Sequence, residues 1–493
     1  MQFFAGKPWL EPGAGATIIT DLAPSPNFAS TGVVAVLAEC DGGLTYEDQV
    51  VYESSNPNNL KSIIRSGVGS RVIDFIFNPS KDTPGAQKVY FIRTQVATKA
   101  TSTITQSTGG VSSVTMTSRD KGSYLSNATL GGLKWQIIAG TQDATKDVFV
   151  LTLNGATIWY SQEVATYDEL KAAIEGNTTS NNLITFVINS GGTNNIDDSV
   201  RSTAAMFTGG SQTAMTGTDV DAALNLVKNL SPNLVYIASD NAAFHTKVLS
   251  YCNNLAELPC KCYFGGALNE TKAQTITRAQ NLNNEVAALC WPDIVVPTVD
   301  GLSNEVLSPM YLAAKVTGLR AGLASHVPLT WKTVDVIGFR INGGDLDKTG
   351  REDLIRFGVM FGRNIPGIGF GINKGINTLQ NNGSMIYKKT DGTATSPEDS
   401  IISIKQLLIR ELILNSAPMF IGGTVATVSK LDIENFTSTY LSSRISQLGN
   451  PNALISFSGV TAELRDDAWW TYFSFTPNTP INFTFFIGAM LKP

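Results

Sequence analysis

Short apolar runs, each closed by a turn signal, set the rhythm of this chain. VVAVLA at Val33–Ala38 is a continuous apolar stretch closed by Asp41-Gly42-Gly43, which predicts a buried strand and a turn. KVYFIRTQV over 88–96 predicts another strand. Between about 100 and 192 the texture changes to Thr, Ser, Gly and Asn carrying short alternating runs: VSSVTMTS, KWQIIAG, DVFVLTLNG and ATIWYS. One helical patch over 167–174 interrupts them and LITFVIN follows, so the stretch reads as a mainly β insert. From residue 218 the pattern becomes regular. Thr218-Asp219-Val220-Asp221 fits a capping box, and Val220, Leu224 and Val227 share one helix face. Strands over 233–239, 260–265 and 286–291 (with 294–297) then alternate with helices over 241–256, 270–283 and 305–325. Such alternation predicts right-handed βαβ crossovers and a parallel sheet.

The last third changes again. Ser396-Pro397-Glu398-Asp399 supplies a Ser N-cap, Pro at the first helical position and an acid at the third. Ile401, Ile404, Leu407, Leu408 and Ile409 give that helix its apolar side as far as Leu414. Ser429 to Asp432 repeats the capping logic, with Ile433, Phe436, Tyr440 and Leu441 as the buried face and Gly449 as the stop. Strands are expected over 452–459, 469–476 and 481–491; in the last, Ile481, Phe483, Phe485 and Ile487 alternate with Asn482 and Thr484. At the other end Pro8, Pro12, Pro24 and Pro26 exclude a helix. Phe3, Phe4, Trp9 and the β-like run with Ile18 and Ile19 are too apolar for a disordered tail. They predict an extended arm that docks.

The expected fold is therefore multidomain, α/β and α+β. An N-terminal extended arm covers 1–29 and the first part of the α/β core 30–99. The mainly β insert, as an outer domain, covers 100–192, and the rest of the α/β core, with its βαβ parallel sheet, 193–335. A C-terminal α+β core domain covers 336–468 and a strand-donating arm 469–493.

Composition narrows the function. Only 16% of the 493 residues are charged, and the net charge is −5 without a long basic run. That excludes sequence-independent nucleic-acid binding, which needs a basic face. A surface poor in charge and rich in small polar groups suits burial against other protein; a monomer with a Thr/Asn-rich surface is the alternative. The five cysteines give no disulfide framework. Cys260 and Cys262 fall on one side of a strand, with Cys252, Cys290 and His245 in the same region. A zinc site is conceivable there, but a lone C-x-C favours core packing. No charged start followed by an apolar core marks a signal peptide, and the most apolar helix, over 401–414, is interrupted by Lys405, Arg410 and Glu411. A soluble cytosolic chain is expected.

Catalytic chemistry finds little to stand on. Two histidines, His245 and His326, limit acid–base and metal chemistry, and His326 after a helix end reads as a capping cation. No nucleophile elbow, zinc-protease motif or P-loop is present. Gly367-Ile368-Gly369-Phe370-Gly371 with Lys374-Gly375 is the one phosphate-like loop, and its large apolar members favour a packed turn. Asp345, Asp347, Glu352 and Asp353 interleave with Lys348, Arg351 and Arg356, a salt-bridged face more than a cation site. No catalytic, cofactor or metal residue is assigned.

TGVVAVLAECDGG and KVYFIRTQVATKA after an extended arm, then SVTMTSRDKGSYLSN leading into LKWQIIAG, resemble the tail sheath proteins of contractile bacteriophages and related contractile injection systems. The helix SIISIKQLLIRELIL, the run LISFSG and an alternating C-terminal strand resemble their C-terminal core. The resemblance implies a structural protein without enzyme activity or cofactor. Such a subunit is made in the host cytoplasm, polymerises with itself as stacked rings around a tail tube protein in the virion tail, and meets baseplate and tail terminator proteins. It binds no nucleic acid and inserts into no membrane. The expected inter-subunit residues are Phe3, Phe4, Trp9, Ile18, Ile19, Tyr472, Phe473, Phe475, Ile481, Phe483, Phe485 and Ile487. The alternatives are an α/β enzyme with an unrecognised site within 230–330 and a non-contractile virion or baseplate component.

Overall fold

The computed structural model describes residues 2–4, 7–9, 32–107, 112–129, 131–201, 204–254, 258–380, 387–388, 394–424 and 427–481. Its centre is an eight-stranded sheet. In spatial order the strands are Tyr52–Ser54, Lys88–Arg93, Val33–Ala38, Leu234–Ile237, Lys261–Gly265, Ala287–Trp291, Val359–Ile365 and Gly369–Ile372. The six inner strands are parallel and the two edge strands antiparallel. Helices cover both faces, so successive residues of one strand enter different cores. Val34, Val36 and Ala38 pack with Val72 and Ile76 of helix Val68–Phe77 and with Leu312 and Val316 of helix Pro309–Gly322. Ala35 and Leu37 pack on the opposite face with Val220, Val227, Val248 and Ala279 from helices Gly217–Val227, Ala242–Asn254 and Lys272–Leu282. This double cover explains why these strands read as unbroken apolar runs.

The insert has its own core between two four-stranded sheets and helix Tyr167–Gly176, built on Trp135, Phe149, Leu151, Tyr167 and Phe186. Its pairing runs beyond residue 192. Ala205–Met206 joins Leu133–Ala139, and Ser211–Gln212 joins Ala97–Gln106. Strands two residues long carry no periodicity, so the sequence gives no sign of the return.

Several helix ends differ from expectation. The capping box is Thr216 with Asp219, not Thr218 with Asp221. The stretch 305–325 divides into strand Asn304–Leu307 and helix Pro309–Gly322, with Pro309 at the first helical position. Helix Asp399–Phe420 starts after Glu398; Ser396 is buried and its hydroxyl takes the Glu398 N–H at 3.1 Å. That helix passes Leu414 and ends at Phe420, whereas helix Lys430–Ser443 stops at the Arg444 cap, well before Gly449.

The long helix is fixed to the sheet by buried charge. Asp399, its first residue, is fully buried and receives the Lys261 ammonium and the Tyr263 hydroxyl, the latter at 2.8 Å. Lys261 Nζ also reaches the Asp399 carbonyl at 2.9 Å and Ser403 Oγ at 3.1 Å, and Arg320 stands 3.6 Å from the other carboxylate oxygen. Burial draws Lys261 toward its neutral form. Burial also works to raise the Asp399 carboxyl, but Lys261 and Arg320 outweigh it and hold the pKa below the usual carboxylate range. The start of a helix further favours a negative charge. Farther along the helix, Gln406 donates to the Cys260 carbonyl at 3.0 Å and Lys405 pairs with Glu285 at 2.9 Å. Tyr440 donates to Glu411 at 2.6 Å, tying on the following helix.

Two expected outcomes follow from this packing. A Cβ at Gly318 meets the Ile76 carbonyl oxygen at 2.4 Å where two helices touch. Gly318→Ala should therefore lower stability by about 1–3 kcal/mol in urea unfolding, and an unchanged midpoint contradicts the close approach. Asp399→Asn leaves two buried cations facing a neutral amide, which should cost about 3–5 kcal/mol at pH 7. Because the folded pKa is depressed, this stabilisation is present above the ordinary carboxylate pKa and is lost as pH falls through the folded value. The gap between wild type and variant should thus close in acid; a gap constant from pH 7 to pH 3 counts against the ionised junction.

Candidate assembly site

The C-terminal unit ends in an antiparallel hairpin, Leu454–Arg465 with Ala468–Pro477. Alternation divides it into two faces. Phe457, Phe473 and Phe475 turn toward Ile404, Leu408, Tyr440 and Leu441, and near the tip Trp469 packs by Ala462, Val428 and Ile433. On the outer face Trp470 is 51% and Tyr472 42% exposed, with the Arg465 guanidinium 5.4 Å and 5.7 Å from their ring centres. The Glu434 carboxylate accepts the Ala462 N–H at 2.8 Å. Among the described residues this sheet has only its two strands; the outer edge of Leu454–Arg465 is partly met by Ile445 at Leu454 and by Glu434 at Ala462, whereas that of Ala468–Pro477 has no neighbouring strand. Such an edge is a ready template for another chain.

The expected contact residues divide accordingly. Tyr472 lies on the exposed outer face, while Phe473 and Phe475 lie on the chain's own core side, because 468–477 already has a partner strand. Phe3, Phe4 and Trp9 belong to a small pair, Gln2–Phe4 with Lys7–Trp9, in which Phe3 stands opposite Pro8. Ile481 is 87% exposed at the end of the described chain. Ile18, Ile19, Phe483, Phe485 and Ile487 lie outside the described residues, as does most of the strand expected over 481–491.

The groups with catalytic potential are engaged structurally. His245 is fully buried, its ring stacked on Phe264 at 4.4 Å with Nε2 2.7 Å from the Ser239 carbonyl, and burial brings its pKa down to about 4. It is a neutral core residue at physiological pH. His326 is held below its ordinary pKa by burial and by Arg320. Arg320 itself caps the end of its helix, donating to the carbonyls of Leu323, Ala324 and Val327. All five cysteines are buried; burial pushes the Cys40 thiol up to about 12, and Cys252 and Cys260 touch at 3.3 Å. Among the described residues no cluster of three metal-ligating side chains occurs. Gly367 and Gly369, both with positive φ, turn the hairpin between Val359–Ile365 and Gly369–Ile372, so that loop leads into no helix. Asp347 caps helix Lys348–Arg356 through the Gly350 N–H at 2.7 Å, and Asp353 pairs with Lys272 at 3.0 Å.

Open parallel sheets take ligands beyond the carboxyl ends of the strands where strand order reverses. Here that point lies between Val33–Ala38 and Leu234–Ile237. Arg93, fully buried, stands on the other side of Val33–Ala38, at the end of the neighbouring strand Lys88–Arg93. Its guanidinium donates to the carbonyls of Gly42 and Gly43, each at 3.1 Å, to that of Lys121 at 2.7 Å, and to Gln212 Oε1 at 2.9 Å. Gln95 caps the end of the first strand by accepting the Cys40 N–H at 2.9 Å. Lys121 and Gln212 belong to the insert, which is thereby stitched to the loop after strand Val33–Ala38. Little in the sequence marks Arg93 for this role, since apart from Gln95 two residues on its partners lie 28 to 119 positions away along the chain.

No protein-family model matches the chain. In sequence it is 25% identical over 210 residues, 42% of its length, to the "Putative tail sheath protein" of Enterococcus phage phiEF24C, and spans about a third (35%) of that protein. In structure it is similar to the sheath tail protein of Desulfitobacterium hafniense, with a TM-score of 0.68 at 14% identity over 94% of this chain and 97% of the other. The sheath tail protein of Listeria innocua gives 0.59 at 15% identity, covering 90% and 94%. The helical sheath of the anti-feeding prophage in its contracted state gives 0.50 at 10% identity, covering 97% and 98%. These likenesses embrace the α/β core, the insert and the C-terminal unit together: this chain has the fold of the tail sheath proteins.

Proposed function

We propose that the chain is the structural subunit of a contractile tail sheath, polymerising with itself as stacked rings around a tail tube and shortening to drive that tube through a host envelope. The observation that carries the reading is a hairpin whose strand Ala468–Pro477 has, among the described residues, one edge without a neighbouring strand, on a fold shared with sheath proteins over nearly its whole length. A neighbouring subunit's arm, 1–29 or 478–493, adds a strand to that edge. Backbone hydrogen bonds then hold the lattice, and alternate side chains of the arm set its register. Tyr472 and Trp470 form the outward surface of that joint, while Phe473 and Phe475 fix the hairpin to the long helix. Tube, baseplate and terminator proteins are the other partners, the particle tail is the site of action, and the subunit is made in the host cytoplasm. No catalysis is assigned; within 230–330 His245 and the four cysteines are buried in the core.

Two experiments test this. A chain ending at Asn478 keeps the hairpin but loses the terminal arm, so it should fold with wild-type circular dichroism and remain unpolymerised; normal cylinders in negative-stain micrographs refute arm exchange. Pro24, Ser25 and Pro26 lie between the β-like run at 17–20 and strand Val33–Ala38. Two or three residues inserted after Ser25 change loop entropy by only tenths of a kcal/mol but slacken the link between rings. Sheaths should then assemble and contract poorly. Shortening as complete as in wild type, seen by electron microscopy of triggered particles, overturns the tether.

A further inference from the structure

Between the amino end of the parallel sheet, the end of helix Pro309–Gly322 and the long helix lies a cavity of about 40 Å³, lined by Lys261, Arg320, Arg410, Ser325, Ser403 and Gln406 among others. Three cations face it, each more than nine-tenths buried. Among the described residues Asp399 answers Lys261 and Arg320, and no carboxylate pairs with Arg410. The nearby acids have partners of their own: Glu398 pairs with Lys374 at 3.2 Å, and Glu411 with Arg444. Lys261 directs its ammonium at Asp399 and Ser403. Arg410 is held by the carbonyls of Ser231 and Pro232, but its Nε–H meets no hydrogen-bond acceptor among the described residues. A buried guanidinium N–H without an acceptor, on a cation that pairs with no carboxylate of the described residues, is costly unless an acceptor fills the space, and a negative one offsets the charge as well.

We propose that this cavity holds one chloride ion, bound between Arg410 and Arg320 at the joint of the sheet and the C-terminal unit. The size suits the assignment. One water needs roughly 10–15 Å³, so the space accepts a halide with one or two waters and not a five-atom oxyanion. Chloride there completes the charge balance that Asp399 begins and strengthens the attachment of the long helix to the sheet. The site involves no reaction and is independent of the assembly reading.

The test uses the full chain in chloride, gluconate or sulfate at equal ionic strength. When free chloride is about ten times its Kd, the ratio of folded to unfolded protein should rise roughly tenfold over gluconate. Crystals grown in bromide should show an anomalous peak inside the cavity. Arg410→Gln should abolish the chloride-specific gain and leave the general salt response, and Arg410→Lys, which keeps the charge without Nε–H, should weaken it. Stability equal in chloride and gluconate with no bromide peak, meaning water alone, overturns the proposal. So does a gain seen only in sulfate. Both decisive measurements are made on wild type, so a variant that fails to fold does not shield the idea.

Discussion

One buried carboxylate, that of Asp399, joins the last third of the chain to the sheet. It meets Lys261 and Tyr263 from one strand and Arg320 from a helix beneath that strand, while it opens a helix of 22 residues. Removing charges from water costs several kcal/mol per ion, and only close geometry with further hydrogen bonds offsets it. An apolar joint would tolerate sliding, because dispersion contacts are nondirectional. An ionised joint does not, since displacement strands a charge. The consequence is a C-terminal unit held in one orientation on the core. In the assembly proposed above, that property lets the hairpin present the same edge at every position.

The same economy governs the other buried cations. Arg93, Arg320 and Arg410 each donate to backbone carbonyls at the ends of strands or helices. Loop carbonyls that would otherwise be buried unsatisfied thus become binding points between units. Arg93 fastens the insert over the sheet, and Arg410 fastens the long helix to the loop before strand Leu234–Ile237. With only 16% of residues charged and a share of these turned inward, the outside is left to small polar groups, a surface that desolvates at little cost against another subunit.

Legibility in the sequence followed the range of the forces. Val33–Ala38 and the strands around 233–291 were readable because burial on both faces makes a strand apolar throughout. Helix Lys430–Ser443 was readable at its start because its cap lies within four residues. The hairpin was only half readable: the strands over 452–459 and 469–476 stood out, but their pairing with each other did not. Strand 468–477 alternates as a free arm would, and the partner that settles its register is another segment of chain. Lys261 was hidden between two cysteines that drew attention to sulfur, although a lone lysine in an apolar strand was the clue to a buried counter-ion.

By itself the sequence determined the succession of elements, the α/β alternation, the poverty of charge and the absence of familiar catalytic motifs, since each depends on residues near one another along the chain. Tertiary structure alone decided that the insert extends to Gln212, that Arg93 ties the insert to the loop after strand Val33–Ala38, and that Asp399 pairs with Lys261 across 138 positions. Those contacts join residues whose separation in sequence carries no period. The physical reason is that a hydrogen bond or ion pair depends on where two groups arrive in space, which is known only after the sheet and its helices have packed.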